Sequence, residues 1–97
     1  MPVHVIIKRK LQIRKPKELM PLLTKLRNRA KKQPGYIGGE TLRNIDSPEE
    51  YMVVSTWEKA EDWNKWMQSK ERRDLQGQVD SLIGERTFYE IFEPVSH

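Results

Sequence analysis

The sequence predicts an α+β fold in which two helices cover one face of a four-stranded antiparallel sheet, in the order β-α-β-β-α-β. Three observations carry this expectation. Residues Val3 to Ile13 alternate at strand period. A leucine stripe between Leu19 and Ala30 keeps helical spacing. Between Tyr51 and Met67 a β-rich run gives way to tryptophans spaced for a helix.

The first strand is read from Val3 to Ile13, with Val3, Val5, Ile7, Arg9, Leu11 and Ile13 on one face and His4, Ile6, Lys8, Lys10 and Gln12 on the other. Pro16 is a typical first-turn residue, and Leu19, Leu22, Leu23, Leu26 and Ala30 then form one helical stripe. Pro21 is discordant, because a proline in a helix interior removes a hydrogen bond and costs about 3 kcal/mol. The helix is therefore expected to begin near Lys17 to Met20, with Pro21 in or just past its first turn. Gln33-Pro34-Gly35 ends it, and Tyr36 to Ile45 resumes an extended pattern in which Gly38-Gly39 marks a bulge or a close backbone approach. Asp46-Ser-Pro-Glu-Glu is a turn leading to Tyr51–Trp57, so the second and third strands form a hairpin. Lys59-Ala-Glu-Asp opens the second helix, which carries Trp63, Trp66 and Met67 at i, i+3 and i+4. A further helical stretch runs through Arg73 and Leu75 and ends between Gly77 and Gly84. Thr87 to Glu93 is the last strand, apolar on both faces. This order, with no linker or repeat, is the ferredoxin-like split βαβ arrangement.

Ninety-seven residues suit a single domain spanning 1–97, and 36% hydrophobic against 33% charged residues is lean for a core that must stand alone. The sheet face bearing Ile6 and parts of the last strand has no helix to cover it, so association of two copies through this face is expected. The absence of cysteine excludes disulfides, thiolate metal sites and a cysteine nucleophile, and fits a reducing interior. The apolar run near the N-terminus is too short for a signal or a membrane span, which makes a soluble cytoplasmic protein the expectation. Lys and Arg number 18 against 14 Asp and Glu, for a net charge of +4 concentrated in the first third of the chain. Such asymmetry attracts nucleic acid or an anionic ligand. Lys25, Arg27, Arg29, Lys31 and Lys32, however, fall between the leucines of the first helix, as on a solvated helix face. The second strand pair also lacks the glycine-aromatic pattern of RNA-recognition domains, which argues against a nucleic-acid partner.

Arg9 is the sharpest anomaly, since it shares the apolar face of Val5 and Ile7, where a charge needs a partner or an anionic ligand. A guanidinium there stabilises an enolate, carboxylate or peroxide; alternatively it pairs with Glu90 or Glu93 across the sheet. Trp57, Trp63 and Trp66 either wall a pocket for a flat aromatic ligand or are ordinary core. His4 is either a proton shuttle or, more simply, a strand-end residue at a subunit seam, and His97 is terminal. No residue spacing suggests a metal site. Gly35-x-x-Gly38-Gly39 lacks the strand-to-helix setting of a phosphate loop. Ser55 and Thr56 have no histidine near them in the pattern to activate a nucleophile. Tyr36, Tyr51, Tyr89 and Asn44 remain as polar candidates for a pocket.

The element order, the Pro34-Gly35-Tyr36 approach to the second strand and the strand-end Trp57-Glu58 followed by an aromatic helix resemble the antibiotic biosynthesis monooxygenase family of dimeric α+β barrels, over nearly the whole chain. The resemblance implies a homodimer and a cofactor-independent monooxygenase acting on a small aromatic or quinol-like substrate. The family also holds haem-degrading enzymes, and members of the same fold that bind ligands or respond to stress without catalysis. Trp66 matches the helix tryptophan of the haem-degrading branch. Gln76 stands where that branch has its axial histidine, and Arg9 where it has an asparagine, so haem loses its iron ligand. The resemblance thus implies no metal and no resident cofactor, with haem binding or haem degradation as the disfavoured alternative. The pocket candidates are Arg9, Trp66, Trp57 and Gln76, with no catalytic residue assigned.

Overall fold

The computed structural model describes residues 2–10, 16–83 and 87–95. Its strands are β1 (Val3–Lys10), β2 (Tyr36–Arg43), β3 (Glu50–Trp57) and β4 (Phe88–Phe92), and its helices are α1 (Pro16–Lys31), α2 (Ala60–Gln68) and α3 (Lys70–Ile83). The strands form one antiparallel sheet in the order β2-β3-β1-β4. This is the arrangement expected of a split βαβ chain, with β1 and β3 at the centre.

Register decides which side chains meet the helices. Val3, Val5, Ile7 and Arg9 pair with Trp57, Ser55, Val53 and Tyr51, while Val5 and Ile7 face Ile91 and Tyr89 on the other side. Because side chains alternate along a strand, all of these share one face. That face is covered, and the core gathers there around Val5, Trp57, Trp63 and Val79, each no more than 2% exposed. The opposite face presents His4, Ile6, Lys8, Leu42, Met52, Val54, Phe88 and Phe92, of which Phe88 is 67% and Phe92 50% exposed. All three tryptophans are buried on the helix side.

Several boundaries differ from the sequence reading for identifiable reasons. β1 is described to Lys10; Leu11, Gln12 and Ile13 lie outside the described residues. β2 stops at Arg43 instead of Ile45, because the Asn44 side chain accepts hydrogen bonds from the backbone N–H groups of Asp46 (2.8 Å) and Ser47 (3.2 Å). This local turn competes with the ladder. It also occupies Asn44 away from any pocket. α1 begins at Pro16, so Pro21 stands just past the first turn.

The second helical region divides at Ser69, whose backbone is extended (φ −64°, ψ 145°). Its hydroxyl donates to the Trp66 carbonyl (2.8 Å) and accepts from the Arg72 N–H (3.2 Å). One serine thereby ends α2 and caps the start of α3. The break redirects α3 so that Arg72, Leu75, Gln76, Val79 and Ile83 form its buried stripe.

Two glycines carry the backbone where no other residue fits. Gly35 has φ +87°, and a Cβ at that position would collide with the Asp62 carboxylate at the start of α2. Its carbonyl accepts from the Glu58 N–H at 2.7 Å, fastening the end of α1 to the end of β3. The β2–β3 register shifts between Tyr36 and Gly38, so the bulge falls at Ile37, one residue before the glycine pair. Gly39 is the close approach: a Cβ there would come within 2.9 Å of both the Tyr36 hydroxyl and the Val54 carbonyl oxygen.

Gly35→Ala is expected to lower unfolding stability by about 2 kcal/mol or more in urea titration, from its left-handed backbone and the collision with Asp62. Gly77→Ala, at an exposed α3 position where a Cβ meets nothing within 4 Å, is expected to raise it by up to about 1 kcal/mol.

Candidate functional site

A cavity of about 180 Å³ lies between the covered sheet face and the helices. β1 and β3 contribute Ile7, Arg9, Val53, Ser55 and Trp57; α1 contributes Met20, Leu23, Leu26 and Arg27; α2 and α3 contribute Trp63, Trp66, Arg72 and Gln76. All four positions singled out in the sequence, Arg9, Trp57, Trp66 and Gln76, line this one space. A cavity of roughly 150 Å³ is enough for a benzene ring, so the volume suits a small aromatic group.

The apolar wall is a chain of edge contacts between rings. Trp57 meets Tyr36 at a centroid distance of 5.4 Å and an interplanar angle of 89°, and Trp63 at 5.7 Å and 66°; Trp63 continues to Tyr89 at 5.8 Å. These are favourable tilted or perpendicular pairings that hold each ring in one orientation. The Trp57 indole donates to Ser55 Oγ at 3.1 Å, so Ser55 acts as a buried acceptor for the wall. Trp57 is thus both core and cavity lining.

The polar side is built by β1 and α3. Arg9 donates from Nη2 to Gln76 Oε1 at 3.0 Å, while its buried Nε finds no partner. The Gln76 amide nitrogen donates to Asp80 Oδ1 (2.8 Å) and Thr87 Oγ1 (3.1 Å), and Thr87 donates to the same Asp80 oxygen at 3.2 Å. Arg9 is therefore held by Gln76. The alternative pairing with Glu90 does not occur: Glu90 faces Ile6 in register and lies on the opposite face of the sheet. Glu93 likewise makes no ion pair with Arg9. Burial lowers the Arg9 pKa from its ordinary value; Tyr89 and Asp80 oppose that shift, and the like charge of Arg72 adds to it.

Arg72 is the residue that sequence reasoning missed. The run Glu71-Arg-Arg-Asp reads as a solvated helix surface, yet Arg72 is only 7% exposed and lines the cavity. Its Nη2 donates to the Tyr89 hydroxyl, Nη1 donates to the Met67 carbonyl at 3.4 Å, and its guanidinium sits 4.8 Å from the Tyr89 ring and 5.9 Å from the Trp63 ring. The available signal was spacing, since Arg72 precedes Leu75, Gln76 and Val79 by three, four and seven residues, on the helix's apolar stripe. Burial raises the Tyr89 pKa, a shift that Arg72 and Arg9 oppose. Arg27, assigned by its spacing to a solvated face, is exposed but also reaches the cavity.

Among the described residues no imidazole lines the cavity to ligate a haem iron, and both ends of the Gln76 amide are engaged in hydrogen bonds. His4 lies on the other sheet face, bonded through Nδ1 to Thr56 Oγ1 at 3.1 Å. Among the described residues no cluster of three or more metal-ligating side chains occurs.

Tryptophan fluorescence is expected to be quenched when a naphthalene-sized aromatic enters the cavity, and Trp66→Ala is expected to weaken that binding by about tenfold through lost stacking and burial. Unchanged affinity in the variant would place the ligand elsewhere.

Comparison with known proteins agrees with this architecture. A conserved protein from Methanosarcina mazei Go1 superposes with a TM-score of 0.85 at 17% identity, over 95% of this chain and 91% of that one. SnoaB, a cofactor-independent oxygenase from Streptomyces nogalater, gives 0.83 at 14% identity, over 99% and 95%. Rv0793 from Mycobacterium tuberculosis gives 0.83 at 15% identity, over 100% and 98%. At these identities the likeness is one of fold. No curated protein sequence matches the chain. The antibiotic biosynthesis monooxygenase family model matches residues 2–78, from β1 well into α3, and on that match this chain belongs to the antibiotic biosynthesis monooxygenase family.

Proposed function

We propose that this chain is a cofactor-independent monooxygenase acting on a small aromatic or quinol-like substrate, folded as a single domain over 1–97 and working as a cytoplasmic homodimer. The observation that carries the reading is the cavity itself, apolar and aromatic on one side and edged by guanidinium groups on the other. Family membership and the likeness to a cofactor-independent oxygenase support it.

The chemistry asks little of the protein. A substrate carbon flanked by aromatic rings loses a proton, and the resulting carbanion, delocalised as an enolate, passes one electron to dioxygen. The two radicals combine through a new carbon–oxygen bond to a hydroperoxide, and loss of water leaves a ketone; one oxygen atom enters the substrate and the other leaves as water. The tryptophan wall orients the ring and excludes water, and Arg9 stabilises negative charge on the enolate and peroxide oxygens. A second reading, ligand binding without turnover, is favoured by one feature: the described lining includes no carboxylate or imidazole to take the proton.

The open sheet face supports the dimer. Phe88, Phe92 and Leu42 stand exposed beside Ile6, Met52 and Val54, an apolar surface of the kind that marks an interface.

Oxygen uptake with an anthrone or a naphthoquinol, and ketone or quinone product by mass spectrometry, is the expected outcome. Arg9→Ala is expected to lower kcat by about a hundredfold. Aromatic binding without oxygen uptake would establish the second reading. Sedimentation velocity is expected to show a dimer for the wild type and a monomer for Phe88→Glu/Phe92→Glu; a wild-type monomer would refute the assembly.

A further inference from the structure

We propose that the cavity takes its ligand as an anion: a planar aromatic compound whose ionised oxygen, carboxylate or enolate, is held between Arg9 and Arg72 while its ring lies against Trp57, Trp63 and Trp66. The proposal rests on the reading of the cavity as a ligand site and specifies the class of ligand.

The first observation is a charge without a counterion. Arg72 is 7% exposed, and its partners are a phenol, a backbone carbonyl and two aromatic faces. Among the described residues the ion pair present is Arg29 with Glu71, on the exposed surface. Among the described residues neither cavity guanidinium makes an ion pair with a carboxylate. A buried cation satisfied only by neutral groups lacks the Coulombic compensation that normally accompanies burial.

The second observation is the unused donor capacity of Arg9. Its Nε is buried and unpartnered, although a guanidinium offers five donors in a planar fork suited to two oxygens of one anion. The nearest acid in its network, Asp80, is reached only through the Gln76 amide. Gln76 therefore fixes one edge of the guanidinium without neutralising it.

The third observation is the composition of the lining. Arg9, Arg27 and Arg72 contribute cations, and among the described residues no aspartate or glutamate lines the same space. An anion entering it relieves repulsion between guanidinium groups and supplies the missing acceptor, while a neutral analogue of equal size does neither. The same charge balance lowers the pKa of a weakly acidic substrate, so its proton can leave to water without a protein base. This accounts for how a pocket without a carboxylate or imidazole serves carbanion chemistry.

The test compares 2-naphthoate with its neutral isostere 2-naphthamide, by tryptophan quenching and calorimetry at about pH 7.5, well above the carboxyl range of about 4, so the acid is fully ionised. The wild type is expected to bind naphthoate at least about tenfold more tightly. Arg9→Gln and Arg72→Gln are expected to erase that preference, with naphthoate affinity falling about tenfold further than naphthamide affinity. Arg9→Lys and Arg72→Lys, which keep the charge, are expected to retain part of it, and circular dichroism reports whether each variant is folded. Equal affinity of the wild type for the two ligands would overturn the anion proposal and leave the aromatic site standing. Binding of neither would overturn both.

Discussion

Two guanidinium groups held beneath helices, neither ion-paired to a carboxylate among the described residues, set the terms for the rest of this molecule. Removing such a charge from water costs several kcal/mol even after relaxation. The fold offsets that cost piecemeal, with an amide from Gln76, a phenol from Tyr89, a helix carbonyl from Met67 and the faces of two rings. Each compensating group depends on a separate element being in place. Tyr89 needs β4 paired to β1, Gln76 needs the buried stripe of α3, and Arg72 needs the change of direction at Ser69. The site is thus a product of the whole topology.

The division of labour inside the cavity follows from the same architecture. The central strands and α2 supply rings that interlock edge to face and stay where packing puts them. The polar groups come from the end of β1, from α3 and from residues next to β4. Shape and charge are joined at Arg72, whose guanidinium faces the cavity while resting against the Trp63 and Tyr89 rings.

Much of this was legible from residue order. Alternation along β1 placed Arg9 on the covered face, the leucine stripe gave α1, and the spacing of Trp63 and Trp66 gave α2 its inward side. Four candidate residues drawn from that pattern meet at one cavity. Arg72 escaped because charge is a poor signal of burial inside a run of charges; only its distance from Leu75 and Val79 marked it. The Asn44 turn escaped because a side chain outcompeted the ladder, an outcome set by local geometry that propensity does not encode. The partner of Arg9 was misjudged because Glu90 is near it in strand order, yet alternation puts the two on opposite faces.

The bulge at Ile37 has a consequence for the edges of the sheet. β2 and β4 are the sheet's two edges, each with a row of backbone donors and acceptors that a foreign strand can adopt. β4 is short, and β2 is interrupted at Ile37 near its beginning and twisted there by the extra residue. Neither edge is a long, regular template for strand addition. Open-ended growth from sheet to sheet, the route to fibrils, is thereby discouraged, which leaves the broad apolar face as the surface through which the proposed pair of copies would close.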